Sequence, residues 1–370
     1  MQLQLSEEQR LLADTTRRLL DRHHHVSRRE MGIAGSDAGL WTTFAEAGLL
    51  SLLVPEAQGG LGAGGVETHI VMEEMGRALV AVPYPEAAVM ATCLIADLAS
   101  PAQRDTWLPA MAEGHLLLVP ALAEPQTGYG LSTPGTVATR HADGFVLNGH
   151  KSVVVAGDAA DGLLVSARAE EAVCLFHVPR DAPGVRTLAY PTIHGGTAAE
   201  ITFEGVRVGE DASVGVPGAA GPAIAAAADR GAAALCAESV GIMTALFEAV
   251  LAYVKQRRQF GATVGSFQAV QHQLVDALLL LEEARSLAWL ASSSLHLPPQ
   301  QRGLRVSAAK HKADVASRHI AEKAVQLHGG IGMTDELPIG RYMRRLIAIQ
   351  HTLGDADFHL RRFAASGAAA

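Results

Sequence analysis

The chain has 370 residues, 49% of them hydrophobic and 18% charged, and a net charge of −8. That length allows two or three domains with real cores, and the balance excludes a disordered chain. A mildly acidic protein without a basic stripe has no electrostatic footprint for nucleic acid, so that class of partner is excluded too.

Met1 to about Leu118 reads as a helical domain. Ser6, followed by Glu7 and Glu8, opens a helix to about Arg22 with Leu11, Leu12, Leu19 and Leu20 on one side. Ala38–Gly48 carries Trp41, Phe44 and Ala47 at helical spacing. A glycine-rich loop precedes a third helix over Glu67–Leu79, and Ala87–Leu98 is a small-residue helix suited to close packing. From about 119 to 215 the pattern changes to short β-type runs: Phe145–Leu147, Ser152–Val155, Gly162–Ser166, Val173–Val178 and Glu200–Val208. Gly, Pro, Asp and His-Gly-Gly turns separate them, as in a compact antiparallel β-barrel. From 216 to 370 a Gly/Pro linker leads into four long helices, Ala232–Arg257, Ser266–Leu295, Gly303–Leu327 and Pro338–Ala365. Short connections make antiparallel neighbours of them, and their apolar faces suit a four-helix bundle that also buries surface against other subunits.

Cys93, Cys174 and Cys236 are odd in number and far apart. They fit reduced thiols in a cytoplasm, not a disulfide framework or a zinc knuckle. The first ten residues lack the pattern of a signal peptide. The small apolar run Ser213–Ala228 is interrupted by Gly215, Pro217, Gly218, Gly221 and Pro222, so it reads as a linker into a helix and not as a membrane span. A cytoplasmic location is expected. The His23–His25 run reads as a solvated helix face, since consecutive side chains point apart. Gly60–Gly65 satisfies a dinucleotide-loop pattern, but Pro55-Glu56 spoils the strand-to-helix context it needs.

Six motifs in order carry a resemblance that spans essentially the whole chain. They are Trp41 with Ala47-Gly48-Leu49, Val54-Pro55-Glu56 with Gly59-Gly60-Leu61-Gly62, and Ala121-Leu122-Ala123-Glu124-Pro125. Leu147-Asn148-Gly149-His150-Lys151, Arg257-Arg258-Gln259-Phe260-Gly261 with Phe267-Gln268-Ala269-Val270-Gln271, and Gln326-Leu327-His328-Gly329-Gly330-Ile331-Gly332 complete the set. Together they resemble the acyl-CoA dehydrogenase family. The resemblance implies FAD and the oxidation of an acyl-CoA thioester to its 2,3-enoyl-CoA, with an electron-transfer flavoprotein as the expected acceptor. In relatives a carboxylate removes the α-proton while the β-hydrogen leaves as hydride. Desolvation and hydrogen bonds to the thioester oxygen make that proton accessible to so weak a base.

The resemblance assigns Arg257 to the FAD pyrophosphate, through the forked contact that guanidinium makes with phosphate. It places Phe260, Gln268, Gln326, Gly329 and Gly330 along the cofactor of a neighbouring subunit. Taken without the motifs, Arg257 reads as a surface arginine and Gly329-Gly330 as a helix end. The β-domain half departs from the pattern. Ala123 stands where relatives carry threonine, and Gly128-Tyr129-Gly130 where they carry Gly-Ser-Asp. Val153 and Val155 replace a tryptophan and a threonine that face the flavin ring, and valine offers no donor.

The usual base, a glutamate, corresponds to Leu353, which cannot take a proton. Some relatives place the base before an arginine on an earlier helix, here Asp229-Arg230. Asp229 is one methylene shorter, and it equally suits an N-cap or an ion-pair partner at the start of a long helix. Arg230 suits a contact with acyl-CoA or a brace for that helix. Three expectations follow: a subunit of a heteromeric dehydrogenase whose sister supplies the base and flavin-ring contacts, a self-sufficient homo-oligomer using Asp229, or a non-catalytic acyl-CoA-binding relative.

Overall fold

The structure, a computed structural model, describes residues 4–30, 38–131, 133–334 and 336–367. The side chains of His23–His25 lie outside the described residues. In chain order the elements are α1 (Glu7–Glu30), α2 (Ala38–Glu46), α3 (Gly65–Ala78), a π-helical segment (Tyr84–Ala91), α4 (Thr92–Leu98) and α5 (Pro101–Ala112). Seven strands follow: β1 (Leu118–Ala121), β2 (Val137–His141), β3 (Gly144–Val155), β4 (Gly162–Ala169), β5 (Ala172–Pro179), β6 (Val185–Pro191) and β7 (Thr197–Gly209). Then come α6 (Ala220–Gln256), the two-residue strands β8 (Arg258–Gln259) and β9 (Ala262–Thr263), α7 (Gln268–Ser292), α8 (Pro299–His328), α9 (Ile339–Gln350) and α10 (Ala356–Gly367). Packing divides the chain into two compact units: residues 1–29, 65–80 and 232–370 form one, and residues 30–64 and 81–231 the other.

The β-containing unit is centred on one sheet of order β1-β4-β2-β3-β7-β6, with β5 on β4. Most pairs are antiparallel as expected, but β1–β4 and β2–β4 are parallel. Phe145, Leu147, Val165, Phe176, Ile201 and Phe203 build its core, with the Phe145 and Phe176 rings 5.0 Å apart. Two apolar runs that the sequence separates, Phe145–Leu147 and Ser152–Val155, belong to one strand, β3, whose pairing with β7 shifts register at two places. The strands β2 and β6 carry no apolar alternation strong enough to announce them. Their exposure is high along most of their length, as suits a surface-lying pair. Helix α5, also unannounced, is set by a reciprocal cap: Ser100 and Gln103 exchange backbone-to-side-chain hydrogen bonds, with Pro101 at the first helical position. The small-residue helix expected over Ala87–Leu98 opens as the π-helical segment and continues as α4. The buried Tyr84 hydroxyl there donates to the Leu49 carbonyl at 2.7 Å.

In the helical unit the same capping logic starts α1, where Ser6 and Gln9 exchange bonds at 3.0 and 3.1 Å. Helices α3 and α6 approach so closely that a Cβ on Gly76 would lie 2.1 Å from the Glu238 carbonyl oxygen, and one on Gly241 2.0 Å from that of Glu73. Mid-helix glycine weakens a helix, so these two positions record a packing demand. Helix α6 is long and apolar enough to cross a membrane by composition, but 67% of its most apolar window is buried inside the protein, as for a core helix. It begins at Ala220, inside the expected linker. The last expected helix is broken. Pro338–Ala365 divides into α9 and α10 at a turn where Leu353 and Gly354 adopt φ +57° and +109°.

Candidate cofactor site and catalytic positions

The end of α6 is continued by a tight hairpin. The Arg257 N–H donates to the Tyr253 carbonyl at 2.8 Å, and the Val264 N–H donates back to the Arg257 carbonyl at 2.8 Å. The turn between β8 and β9 is Phe260-Gly261, with φ of +52° and +78°, as two-residue hairpin turns of this hand require. It thrusts Phe260 outward at 93% exposure, with the Phe267 ring edge-on to it at 6.4 Å. Gln268 is the first residue of α7 and is exposed. At the end of α8, Gln326 is exposed and Gly329 caps the helix at φ +67°, ψ −146°, a conformation essentially restricted to glycine. Gly330 has no positive φ, and a Cβ there would meet nothing within 4 Å. Nothing in the described chain requires glycine at 330. Among the described residues, the side chains of Arg257, Gln268 and Gln326 make no hydrogen bond or ion pair. The ends of α6 and α8 are linked by a pair that the motifs left unremarked: the Tyr253 ring stacks on His328 with centroids 4.5 Å apart.

The β-sheet positions look different. Val153 is 60% exposed at φ +52°, a strained conformation for a β-branched residue. Its N–H donates to Glu200 Oε1 at 3.2 Å. Glu200 also pairs through Oε2 with His150 Nε2 at 2.7 Å, and the Tyr190 hydroxyl donates to Oε1 at 3.0 Å. Burial alone would raise the Glu200 carboxyl. Donors from His150, Val153 and Tyr190 reverse that and hold it below the ordinary carboxylate range. Beneath lies a second, fully enclosed pair. Lys151 Nζ lies 2.6 Å from Glu124 Oε1 and 2.9 Å from Ser166 Oγ. Glu124 also accepts from the Gly135 and Thr136 N–H groups and from the Thr136 hydroxyl. These bonds fasten the segment after β1 to β3. Ala123, Val153 and Val155 carry no side-chain donor, whereas Tyr129, at the serine position, carries a hydroxyl.

Asp229 is buried and sits in the third turn of α6, so the N-cap expectation is overturned: the helix starts nine residues earlier, at Ala220. Arg230 Nη1 meets Asp97 Oδ2 at 2.7 Å, tying α6 to α4 in the manner of a brace. Leu353 is half-buried in the turn between α9 and α10. That turn is held from several sides. Lys310, fully buried, donates to both Asp314 carboxylate oxygens at 2.8 Å and to the Ile349 and Gly354 carbonyls at 3.0 Å. His359 Nε2 donates to the Leu353 carbonyl at 3.0 Å. Position 353 thus keeps a rigid mount but carries a hydrocarbon.

Family models describing the N-terminal, middle and C-terminal domains of acyl-CoA dehydrogenase match residues 6–115, 120–206 and 222–367. The chain belongs to the acyl-CoA dehydrogenase family. It is 30% identical to acyl-CoA dehydrogenase FadE27 of Mycobacterium tuberculosis over 335 residues, covering 88% of this chain and 87% of that one. It is also 30% identical to the mitochondrial isovaleryl-CoA dehydrogenase of Solanum tuberosum, covering 88% and 81%. Among solved structures, a variant of the Tcur3481-Tcur3483 steroid ACAD is similar at 33% identity and TM-score 0.89, covering 98% of this chain and 99% of that one. The ChsE4-ChsE5 complex of Mycobacterium tuberculosis is similar at 26% identity and TM-score 0.90, with both chains fully covered.

FAD is the cofactor of acyl-CoA dehydrogenases. Among the described residues of the helical unit, the exposed Arg257 guanidinium and the Gln268 and Gln326 amides have no hydrogen-bond partner, a donor set whose chemistry suits phosphate. The β-sheet positions do not fit the ring. The Val153 N–H and the Tyr190 hydroxyl are both taken by Glu200, and Ala123, Val153 and Val155 bring no hydroxyl or indole.

Proposed function

We propose that this chain is one subunit of a heteromeric, FAD-dependent acyl-CoA dehydrogenase that converts an acyl-CoA thioester to its 2,3-enoyl-CoA. The observation that carries the reading is the asymmetry of the site residues. Arg257, Phe260, Gln268, Gln326, Gly329 and Gly330 form an exposed set, and among the described residues the side chains of Arg257, Gln268 and Gln326 make no hydrogen bond or ion pair. Ala123, Val153 and Val155, three of the positions that would hold this chain's own flavin, bring no side-chain donor, and the base position carries Leu353. The similarity to chains of the ChsE4-ChsE5 complex and the Tcur3481-Tcur3483 steroid ACAD supports the same reading.

In this reading Arg257 sets positive charge and a forked donor against the pyrophosphate, where two charge-assisted bonds are stronger than neutral ones. Gln268 and Gln326 add neutral donors, Phe260 covers an apolar edge, and Gly329-Gly330 lets backbone approach the cofactor closely. The flavin, when bound, accepts the hydride. A sister chain supplies the carboxylate that takes the α-proton. We further propose an electron-transfer flavoprotein as the electron acceptor, a cytoplasmic location, and the three-domain division at about residues 118 and 215.

The test is the visible spectrum of the full chain purified alone, with flavin counted per chain. A colourless chain that gains flavin and turnover only when made with a second family member is expected. Tightly bound flavin that bleaches on addition of an acyl-CoA would overturn the heteromeric reading. The buried carboxylate of Asp229 favours a second reading, a self-sufficient enzyme in which Asp229 is the base. Loss of turnover with retained flavin in an Asp229→Asn variant of the isolated chain would support it, and unchanged turnover would remove Asp229 as base.

A further inference from the structure

We infer that Tyr253 and His328 are positioning residues that hold the two halves of the exposed cofactor set in fixed relation; the inference rests on the cofactor reading above. The set comes from two helix ends that are far apart in sequence. Arg257 and Phe260 follow the end of α6, whereas Gln326, Gly329 and Gly330 sit at the end of α8. Helix ends fray unless tertiary contacts tie them. Here the tie is specific. The Tyr253 and His328 rings stack at 4.5 Å with their planes 29° apart. The Tyr253 hydroxyl donates to the His328 carbonyl at 3.3 Å. His328 is 5% exposed, and its Nδ1 donates to the Ala324 carbonyl at 2.7 Å, which fixes the ring.

Each partner is one step from a cofactor-directed group. The Tyr253 carbonyl accepts the Arg257 N–H at 2.8 Å, so moving Tyr253 moves the root of the arginine. His328 directly precedes Gly329, and the turn beyond folds back on it: a Cβ on Gly332 would lie 2.9 Å from the His328 Cβ. The turn from Gly329 to Gly332 therefore packs against the His328 position, whose ring is held by Tyr253 and the Ala324 carbonyl. Neither ring needs to touch the cofactor. Both act through Arg257 and the glycine turn, and a displacement near ~1 Å at such a site costs up to roughly a hundredfold.

The test measures FAD affinity of the flavin-loaded assembly containing the full chain, by titrating the deflavinated assembly with FAD, together with kcat. Arg257→Ala is the reference and weakens FAD by roughly ten- to a hundredfold. Tyr253→Leu and His328→Ala weaken it about tenfold, whereas His328→Phe, which keeps a stacking ring, stays within about twofold. In an Arg257→Ala background, Tyr253→Leu adds less than about threefold, because part of its effect runs through the missing guanidinium. Should Tyr253→Leu fail to fold, His328→Ala against His328→Phe decides the matter. Wild-type FAD affinity in Arg257→Ala would overturn the cofactor reading itself. A tenfold loss in Arg257→Ala with wild-type affinity in Tyr253→Leu and His328→Ala would overturn only the positioning role. So would full additivity of Arg257→Ala and Tyr253→Leu, or a His328→Phe variant as weak as His328→Ala.

Discussion

Replacing Lys310 by methionine tests how the turn at Leu353 is held. The Lys310 side chain is fully buried and that of Asp314 is 3% exposed. Methionine fills the space of the lysine stem but leaves Asp314 without its cation. Breaking a buried pair by removing one partner costs about 3–5 kcal/mol. The Ile349 and Gly354 carbonyls each lose a donor, adding about 1 kcal/mol or more apiece if water cannot replace it. The expected loss is about 5–7 kcal/mol, a large share of an ordinary folding stability of about 5–15 kcal/mol. The loss depends on pH. Burial pushes the Asp314 carboxyl up to about 7 even with Lys310 opposing the shift. A carboxyl raised in the folded state keeps a proton that the unfolded chain releases, so its contribution to stability falls as pH rises towards the folded value. Without Lys310 that value rises further. The Lys310→Met variant should therefore lose stability more steeply than the wild type between pH 6 and 8, by up to about 1.4 kcal/mol per pH unit. A Lys310→Met/Asp314→Val double variant removes the stranded carboxyl and should recover all but about 1–3 kcal/mol. Chemical unfolding at several pH values reads all three quantities. A single variant as stable as wild type, or a double variant less stable than the single, would refute the reasoning.

Three further outcomes follow from the same structure. Val153→Asn relieves a left-handed β-branched residue at an exposed position, so it should raise stability by about 0.5–1 kcal/mol, read as an upward shift in the melting temperature. Glu200 is held below the ordinary carboxylate range, so the stability it contributes is complete above about pH 4.5 and lost as pH falls through its folded value. Glu200→Gln should thus flatten the acid limb of the stability curve below pH 5 while changing little in its shape near pH 7. Gly241→Ala places a methyl carbon 2.0 Å from the Glu73 carbonyl oxygen, so α3 and α6 must separate. A loss of about 2–4 kcal/mol is expected, and an unchanged melting temperature would show that the two helices can slide apart freely.

Much of this molecule is determined by the sequence alone. Helical periodicity located α1, α3, α7 and α8, because a repeating apolar stripe is a local property. The motif order pointed to the family, since a run of short motifs is read from the chain itself and does not depend on the packing around it. The losses at Val153, Val155 and Leu353 were equally legible, for a missing donor or carboxylate is missing in any conformation. Other features belonged to the tertiary structure. The mostly exposed β2 and β6 are strands because β3 and β7 offer them ladders. The α9–α10 turn is held by Lys310, which reaches its carbonyls from α8. Asp229 lost its N-cap role because α6 begins upstream, in residues whose glycines and prolines read locally as a linker. The Tyr253–His328 stack joins residues 75 positions apart, and no periodicity in either segment announces the other. The strand ladders, the Lys310 bonds and the ring stack are non-local contacts, and a non-local contact is decided by where the rest of the chain is folded.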